Sequence, residues 1–532
     1  MQSGKLQNTV ATFFEMKSAK KNQSKKEKGD LLPGVIQTPV QSVWIMTALF
    51  AAIAITITCF HEMWRDEYQA WLITTSSSSL SDLFSNIRYE GHPVTWYLLL
   101  FVASKFSDNP VAMQVVHVSI AISTAFLIFR YAPFKTIEKI LLVSGYFLMY
   151  EYCVISRNYA ISVLLIILLC ISFHRNKKRS IADGLLLLAL CNTSLYGAFI
   201  AAAFSIYILL LINENKNDSA FRTKSFITLA FVAAGFLLLY LQVHPASEME
   251  YNDYYKWTGG FDLKHLQETI GKIFNVYFPI PPMEVTDSFG KNILPGPPII
   301  KTIVALGIVF LISMALKKNK KLFITYTTGT AGILLILYFN IHTSLRHEGF
   351  LFILLVVVMW LSEINQINNP LRKIFLFILI IQSIGGIIAS GKDIAFPFSN
   401  LDDAGKFASK NGYDRFDVSG IPDYIVSPLS AFTHKPVYAM ESGTKINFIS
   451  WNDERNESVA ALAPMFARAD SLVKHGQQKA IIVLNVGLVD SLNHYVETMP
   501  INDTTQLTLA KKLDKPSLVA NEKYYFYEVS RK

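Results

Sequence analysis

Two adjacent carboxylates, Asp66 and Glu67, follow directly on the first long apolar stretch of the chain, in the run HEMWRDEYQAW that begins at His61. Further on, side chains able to meet an anion stand at the edges of other apolar runs: His92 in EGHPVTWY, Arg157 and Tyr159 in SRNYAIS, and Arg346 and His347 in HTSLRHE. A carboxylate takes a proton from a hydroxyl that lies within hydrogen-bond reach of it. A guanidinium offers a planar fork matched to phosphate oxygens. Charged groups at the ends of membrane helices are costly unless they pair, meet water or do chemistry. These residue types therefore fit proton abstraction beside a bound anion, at a membrane boundary.

Each also has a purely structural reading. Asp66 and Glu67 beside Arg65 suit a solvated interfacial triplet, and Arg157 suits a helix end whose charge snorkels to water. His92 suits a turn, because Pro93 restricts its predecessor to extended geometry. Arg346 and Glu348 suit an ion pair, and Tyr251, Tyr254, Tyr255 and Trp257 an aromatic belt at the headgroup level. His61, Glu62 and Asp66 could gather round a divalent metal ion, but no spacing enforces it. The cofactor expectation is none, with that ion as the alternative.

The elements that must position these groups are membrane helices. Of the 532 residues, 52% are hydrophobic and 13% aromatic, far more than in an ordinary soluble chain. The apolar residues fall in separate runs of roughly 17 to 25, the length that crosses a hydrocarbon core as a helix. A transmembrane barrel would alternate instead. The net charge of +9 comes from Lys and Arg in short loops between apolar runs and in the N-terminal tail. That pattern is topological, so no nucleic-acid partner is expected. The four cysteines, Cys59, Cys153, Cys170 and Cys191, all lie in or beside apolar runs, and indicate no disulfide framework or cysteine metal site.

If the short apolar segment 93–106 lies in the interface, the spans fall at about 43–60, 110–130, 138–153, 158–173, 181–192, 195–212, 225–243, 298–316, 322–341, 347–364 and 372–390. The basic loops at 130–139, 174–179, 216–224, 317–321 and 372–373 then all lie inside. The expected fold is a polytopic α-helical membrane protein of about eleven spans with a small C-terminal α/β soluble domain. Its parts are a basic cytoplasmic tail at 1–40, a transmembrane domain at 41–391 with outer loops 61–109 and 244–297, and an extracytoplasmic domain at 392–532. In the last part, NLDDAGKFASKNG predicts a helix, FDVSG a strand, ESVAALAPMFARADSLVKHG an amphipathic helix, and KAIIVLNV and EKYYFYEV strands. Loop 244–297 reads as lacking regular structure.

This assignment gathers Asp66-Glu67, Glu90-Gly91-His92, the SRNY turn, the HTSLRHE turn and Asn192-Thr193-Ser194 on one outer face. Taken together, WRDEYQAW after the first span, the outer EGHPVTWYLLL, and SRNYAISVLL opening a later span resemble the GT-C glycosyltransferases. The resemblance is to the branch holding protein O-mannosyltransferases and lipid A aminoarabinose transferases, and it covers about residues 40–390.

The resemblance implies Asp66 and Glu67 as the catalytic acidic pair, Arg157 and Tyr159 in the second outer loop, and Arg346 and His347 in a later loop that meets a lipid phosphate. His92 falls at the family's His-Pro step. Many relatives carry an acidic residue shortly before the arginine. Ile155 and Ser156 stand there instead, with Glu151 farther back, which argues against a family-type metal site. The implied activity is transfer of a sugar from a polyprenyl-phosphate donor to a glycan, lipid or protein acceptor at the outer face of the inner (cytoplasmic) membrane, with membrane lipid as the surrounding partner. Two rivals use the same residues: a transporter or flippase of lipid-linked glycans, which internal repeats and midplane broken helices would favour, and a non-catalytic membrane scaffold.

Overall fold

The structure, a computed structural model, describes residues 38–175, 180–244, 261–293, 296–339, 343–364 and 371–532. The basic tail through residue 37, the loop residues 176–179, the aromatic run from Tyr251 to Trp257, and His342 lie outside the described residues.

Eight helices among the described residues are long and apolar enough to cross a membrane. In chain order the helices are α1 (Val40–Phe60), α2 (Arg65–Thr75), α3 (Leu80–Asn86), α4 (Thr95–Ser104), α5 (Val111–Tyr131), α6 (Thr136–Val143), α7 (Tyr159–Arg175), α8 (Ile181–Cys191), α9 (Leu195–Glu214) and α10 (Ser219–Val243). Next come α11 (Leu263–Tyr277), α12 (Pro298–Leu316), α13 (Lys320–Phe339), α14 (Leu345–Ile364) and α15 (Leu371–Ala395). The eight are α1, α5, α9, α10 and α12 to α15; α4, α7 and α8 are shorter and equally apolar. Outward faces of α1, α10 and α12 expose Leu49, Ile53, Leu241 and Phe310, an arrangement suited to lipid and not to water.

Segment 93–106 holds only the ten-residue α4, too short to cross. Expected span 138–153 folds as α6 followed by a π-helix, Tyr146–Glu151. It nevertheless runs the length of α1. Lys139 Nζ donates to Thr38 Oγ1 (3.2 Å) at the start of α1, and Ser156 N–H reaches Glu67 Oε1 (2.6 Å) just past its end. Close packing of α15 permits this: a Cβ on Gly386 would sit 2.3 Å from the Ser144 carbonyl oxygen.

Basic loops collect at the end of the bundle away from Glu67. There Arg372 forks onto Glu138 (2.8 Å to each oxygen) and Lys321 pairs with Glu214. At the bundle's centre is α14, buried almost continuously from Phe350 to Ser362. Loop 244–297 departs from expectation: it contains α11, whose Leu266, Ile270, Ile273, Phe274 and Tyr277 recur at helical spacing.

The C-terminal part holds α16 (Leu401–Lys410), α17 (Leu462–Lys474) and a seven-stranded mixed sheet ordered β3-β2-β1-β4-β7-β6-β5. The strands are β1 (Asp417–Ile421), β2 (Val437–Ala439), β3 (Thr444–Ile446), β4 (Lys479–Leu484), β5 (Thr498–Pro500), β6 (Thr505–Leu513) and β7 (Tyr524–Arg531). Strand β1 runs parallel to β2 and β4, and β7 antiparallel to β4 and β6. One apolar core joins this part to the loop after α1, with Tyr68, Trp71 and Leu83 packed together with Leu401, Ile425 and Leu429.

Candidate active site

The site begins with the first turn of α2. Acidic residues there oppose the positive end of the helix dipole, which favours the start of a helix at this point. Successive helical positions point about 100° apart, so the two carboxylates part company. Asp66 and Gln69, three residues apart, face a cavity, whereas Glu67, Ala70, Trp71 and Thr74 face the protein interior.

Glu67 is buried outright and its oxygens are fully engaged. Oε1 accepts the Ser156 N–H, and Oε2 accepts the Trp64 N–H (3.2 Å), closing the start of α2, while lying 3.0 Å from His61 Nε2. His61 Nδ1 lies 2.8 Å from Asp393 Oδ2, near the end of α15. Ionised carboxylates only accept, so a histidine between two of them donates from both nitrogens and is an imidazolium. Burial disfavours that charge, but Asp393 and Glu67 outweigh burial and hold His61 up to about 10. Burial likewise pushes Glu67 up, and His61 with the two N–H donors brings it below the usual glutamate range.

Asp66 is different, with 28% of its side chain exposed. Arg346 Nη2 donates to Asp66 Oδ2 at 3.0 Å, and Arg157 Nη1 donates to the Asp66 backbone carbonyl. Burial raises the Asp66 pKa, but Arg157, Arg346 and Arg65 together hold it below the ordinary aspartate value. Arg346 opens the central helix α14, with its guanidinium 5.3 Å from the Trp64 ring centroid. Its Nε and Nη1 are buried and have no hydrogen-bond partner among the described residues. Arg346 does not itself line the cavity but reaches it through Asp66, and two unmet guanidinium donors behind that carboxylate suit an incoming anion.

The turn Glu90-Gly91-His92 supplies the next wall; Gly91 at φ 63° makes the reversal that places both neighbours at the cavity. His92 Nε2 lies 3.3 Å from Arg157 Nη2. A guanidinium has no lone pair to offer, so His92 Nε2 accepts and the ring is neutral. Burial and the charges of Arg157 and Arg346 lower it to about 3. Glu90 accepts from Gln69 Nε2 (2.8 Å) and the Tyr97 hydroxyl (3.1 Å), and burial raises it above the usual glutamate range.

Tyr159 and His347 stand behind these groups, not at the cavity. The Ser344 N–H donates to His347 Nδ1 (3.0 Å), so Nε2 carries the proton and donates to Tyr159 Oη (2.7 Å). Tyr152 Oη donates to the Arg346 carbonyl (2.7 Å), fixing the start of α14. Asn192-Thr193-Ser194 braces α7, through Asn158 and Ser162, and does not line the cavity.

The cavity measures about 330 Å³ and lies between Asp66, Gln69, Glu90, His92 and Arg157 on one side and Tyr424, Ser427, Ile449 and Trp451 of the C-terminal part on the other. Gln69 stitches the two together, accepting the Ile449 N–H (3.0 Å) and donating to its carbonyl (2.8 Å). We expect Gln69→Ala to cost about 1–3 kcal/mol, the range for stranding polar groups, and to accelerate amide exchange at 447–452; unchanged exchange there would remove Gln69 as the fastener.

A divalent ion held by His61, Glu62 and Asp66 does not fit. Both His61 nitrogens are committed to Asp393 and Glu67, and no group of three His, Cys, Asp or Glu side chains among the described residues is placed to hold a metal. Arginines flank Asp66 instead.

Of the residues expected from sequence, Asp66, His92 and Arg157 line the cavity, Arg346 reaches Asp66, and Glu67, Tyr159 and His347 hold these groups from behind. Sequence reasoning missed Gln69, signalled only by its spacing of three from Asp66. It also missed Asp393, Tyr424 and Trp451, which no local pattern marks. No family model, curated protein or solved structure matches the chain.

Proposed function

We propose that the protein is a membrane glycosyltransferase of the GT-C type. In this reading it moves a sugar from a polyprenyl-phosphate donor to an acceptor hydroxyl of a glycan, lipid or protein. One observation carries it: an ionised carboxylate, Asp66, opens into a cavity at the end of an apolar helix bundle, paired to an arginine with two unmet donors.

The donor phosphate takes the free donors of Arg346, with Arg157 adding charge. As it draws Arg346 away, it loosens the ion pair that depresses Asp66 and makes that carboxylate a stronger base. The acceptor hydroxyl gives its proton to Asp66 and its oxygen bonds to the anomeric carbon. The bond from that carbon to the phosphate oxygen breaks, and polyprenyl phosphate leaves with the electron pair against Arg346 and Arg157. Glu67 and His61 position Asp66 and take no proton.

The same reading carries the finer topology. It counts α6 with its π-helix, α7 and α8 as crossings beside the eight long helices, eleven in all. It sets the basic-loop end in the cytoplasm and the cavity, with the C-terminal α/β domain, outside the inner membrane.

Arg346→Ala is expected to lower kcat/KM about 10²- to 10³-fold, the range for losing one charge-stabilising donor group. Arg346→Lys restores only part, because an ammonium lacks the fork. Transfer assays with lipid-linked donors check both, and wild-type rates in Arg346→Ala would place the phosphate elsewhere.

A further inference from the structure

One loop of the C-terminal part has no task in the site. Strand β4 ends at Leu484, and the chain beyond it folds back on itself. The Val496 N–H donates to the Leu488 carbonyl (2.9 Å) and the Asp490 N–H to the His494 carbonyl (2.9 Å), while Asp490 Oδ1 accepts the N–H groups of Leu492 (2.8 Å) and His494 (2.9 Å). These polar groups are met within the turn. Its apolar side chains are not, for Val486, Val489 and Leu492 are 75%, 48% and 73% exposed. An ordered turn that presents apolar side chains in this way calls for a covering surface.

The loop stands at the edge of the sheet that meets the helix bundle. Leu484 pairs with Ile421 at the end of β1 and with Tyr525 at the start of β7. At this edge Glu522 accepts the Arg65 N–H (3.3 Å), and the turn between β6 and β7 joins the bundle core, with the Leu518 and Val519 N–H groups donating to Pro397 and Phe398 carbonyls (3.0 Å each) just past α15. The end of α15 exposes Ile387, Ile394 and Phe396, as a lipid-facing helix does. Side chains alternate along β7. Tyr524 and Phe526 face the core shared with α2, whereas Tyr525 and Tyr527 face the other way, toward α17. The loop lies on that second side: the Leu488 N–H donates to Tyr527 Oη (2.8 Å), and the Tyr495 and Tyr525 rings stack at 5.6 Å. It is therefore at the rim of the bundle but to one side of α2.

Three protruding side chains fall well short of the about 800 Å² per partner that a stable protein interface covers. A bilayer asks less, because the bundle already holds the loop beside it and a tethered contact needs little affinity of its own. The order of the side chains fits as well. Next to the apolar tip comes the Tyr495–Tyr525 pair, and next to that Lys512, its Nζ 4.0 Å from the Tyr495 ring centroid, and the exposed Lys523. Aliphatic groups, then phenols, then ammonium groups match acyl chains, the headgroup level and lipid phosphates in turn. The acids nearby are engaged, Asp490 inside the turn and Asp514 with Lys512 (3.1 Å) and the Tyr525 hydroxyl (3.1 Å).

We propose that loop 485–496 is a membrane foot, which inserts Val486, Val489 and Leu492 into the lipid beside the bundle and sets the height of the C-terminal part above the bilayer. It stands whether or not the protein is a transferase.

The test places an environment-sensitive fluorophore on Leu492→Cys in the full chain, on a Cys59→Ser background because Cys59 is exposed and the other three cysteines are buried. Asp503→Cys, exposed between β5 and β6 at the far edge of the sheet, is the water-facing control. In phosphatidylcholine vesicles the label at position 492 should emit to the blue of the label at 503. It should lose most of its emission to lipids with a nitroxide high on the acyl chain and little to iodide, and the label at 503 should do the reverse. Unmodified protein irradiated in vesicles holding a diazirine lipid should be cross-linked within 485–496, a readout that needs no variant. Equal iodide quenching at the two positions overturns the proposal. Shielding from iodide without nitroxide quenching overturns it too, by showing that protein, a second copy or a partner, covers the loop. So does an absence of cross-links within 485–496 when the bundle helices carry them.

Discussion

If the chain is the proposed transferase, replacing Asp66 by asparagine is expected to lower sugar transfer about 10²- to 10⁴-fold, the range over which a positioned general base contributes, and to leave donor binding intact. Asparagine has the same shape and still offers a carbonyl oxygen to the Arg346 N–H that now reaches Asp66 at 3.0 Å. It cannot take a proton from an acceptor. Arg346 also loses a charged competitor for the donor phosphate, so donor affinity stays level or rises. Initial rates and equilibrium binding of lipid-linked sugar, measured on the same preparation, separate the two effects. Full activity with bound donor would remove Asp66 as the base and turn attention to Glu90, the other carboxylate at the cavity. Because three arginines hold Asp66 below its ordinary value of 3.8 before the donor binds, kcat/KM, which reports the free protein, should show no loss of this base between pH 5 and 8. His92, lowered to about 3, adds no limb in that range either.

Removing His61 has the largest expected effect on stability. His61→Ala leaves Asp393 and Glu67 buried without their shared cation, and stranding a buried charge costs about 3–5 kcal/mol. Glu67, which accepts the Trp64 N–H at the start of α2, is expected to loosen there, and with it the placing of Asp66, so that the proposed transfer should fall as well. Thermal unfolding in detergent measures the first effect, and a wild-type unfolding temperature in His61→Ala would show the triad to be idle.

The same group sets a pH dependence. Below about 6.5 the imidazole is protonated whether the chain is folded or not, and its contribution to stability is complete. As the pH rises from there, the unfolded chain gives up the proton that the folded chain keeps to about 10, so the contribution shrinks and is lost above that value. Wild type should therefore lose more stability between pH 7 and 9.5 than His61→Gln, which has no such proton to lose.

What could be read from the sequence was whatever is local. An apolar run ending in Arg65-Asp66-Glu67 marks both a membrane helix and its charged rim, and the one-sided fall of polar turns anticipated that Asp66, His92, Arg157 and Arg346 would meet. The division of labour between Asp66 and Glu67 was not readable. It depends on Ser156, 89 residues away, and on Asp393, 332 residues from His61. Helix α11 went unseen because prolines crowd the sequence after it and the loop's length suggested irregular chain, although its apolar positions keep helical spacing. Strand β6 went unseen for a related reason: a bulge between Leu509 and Lys511 breaks the alternation that marks a strand. Trp451 and Tyr424 looked like ordinary residues of a separate C-terminal unit, and only the packing of that unit onto α2 makes them a wall of the cavity.

The central claim is tested most directly by offering purified wild-type protein a panel of radiolabelled sugars on polyprenyl phosphate, with host membrane extract as the source of acceptors. Label should leave at least one donor and appear on an acceptor, with polyprenyl phosphate released in equal amount, and Asp66→Asn and Arg346→Ala should each slow this about a hundredfold or more. No transfer from any donor, while liposomes containing the same protein carry lipid-linked sugar across the bilayer, would contradict it and make the protein a flippase.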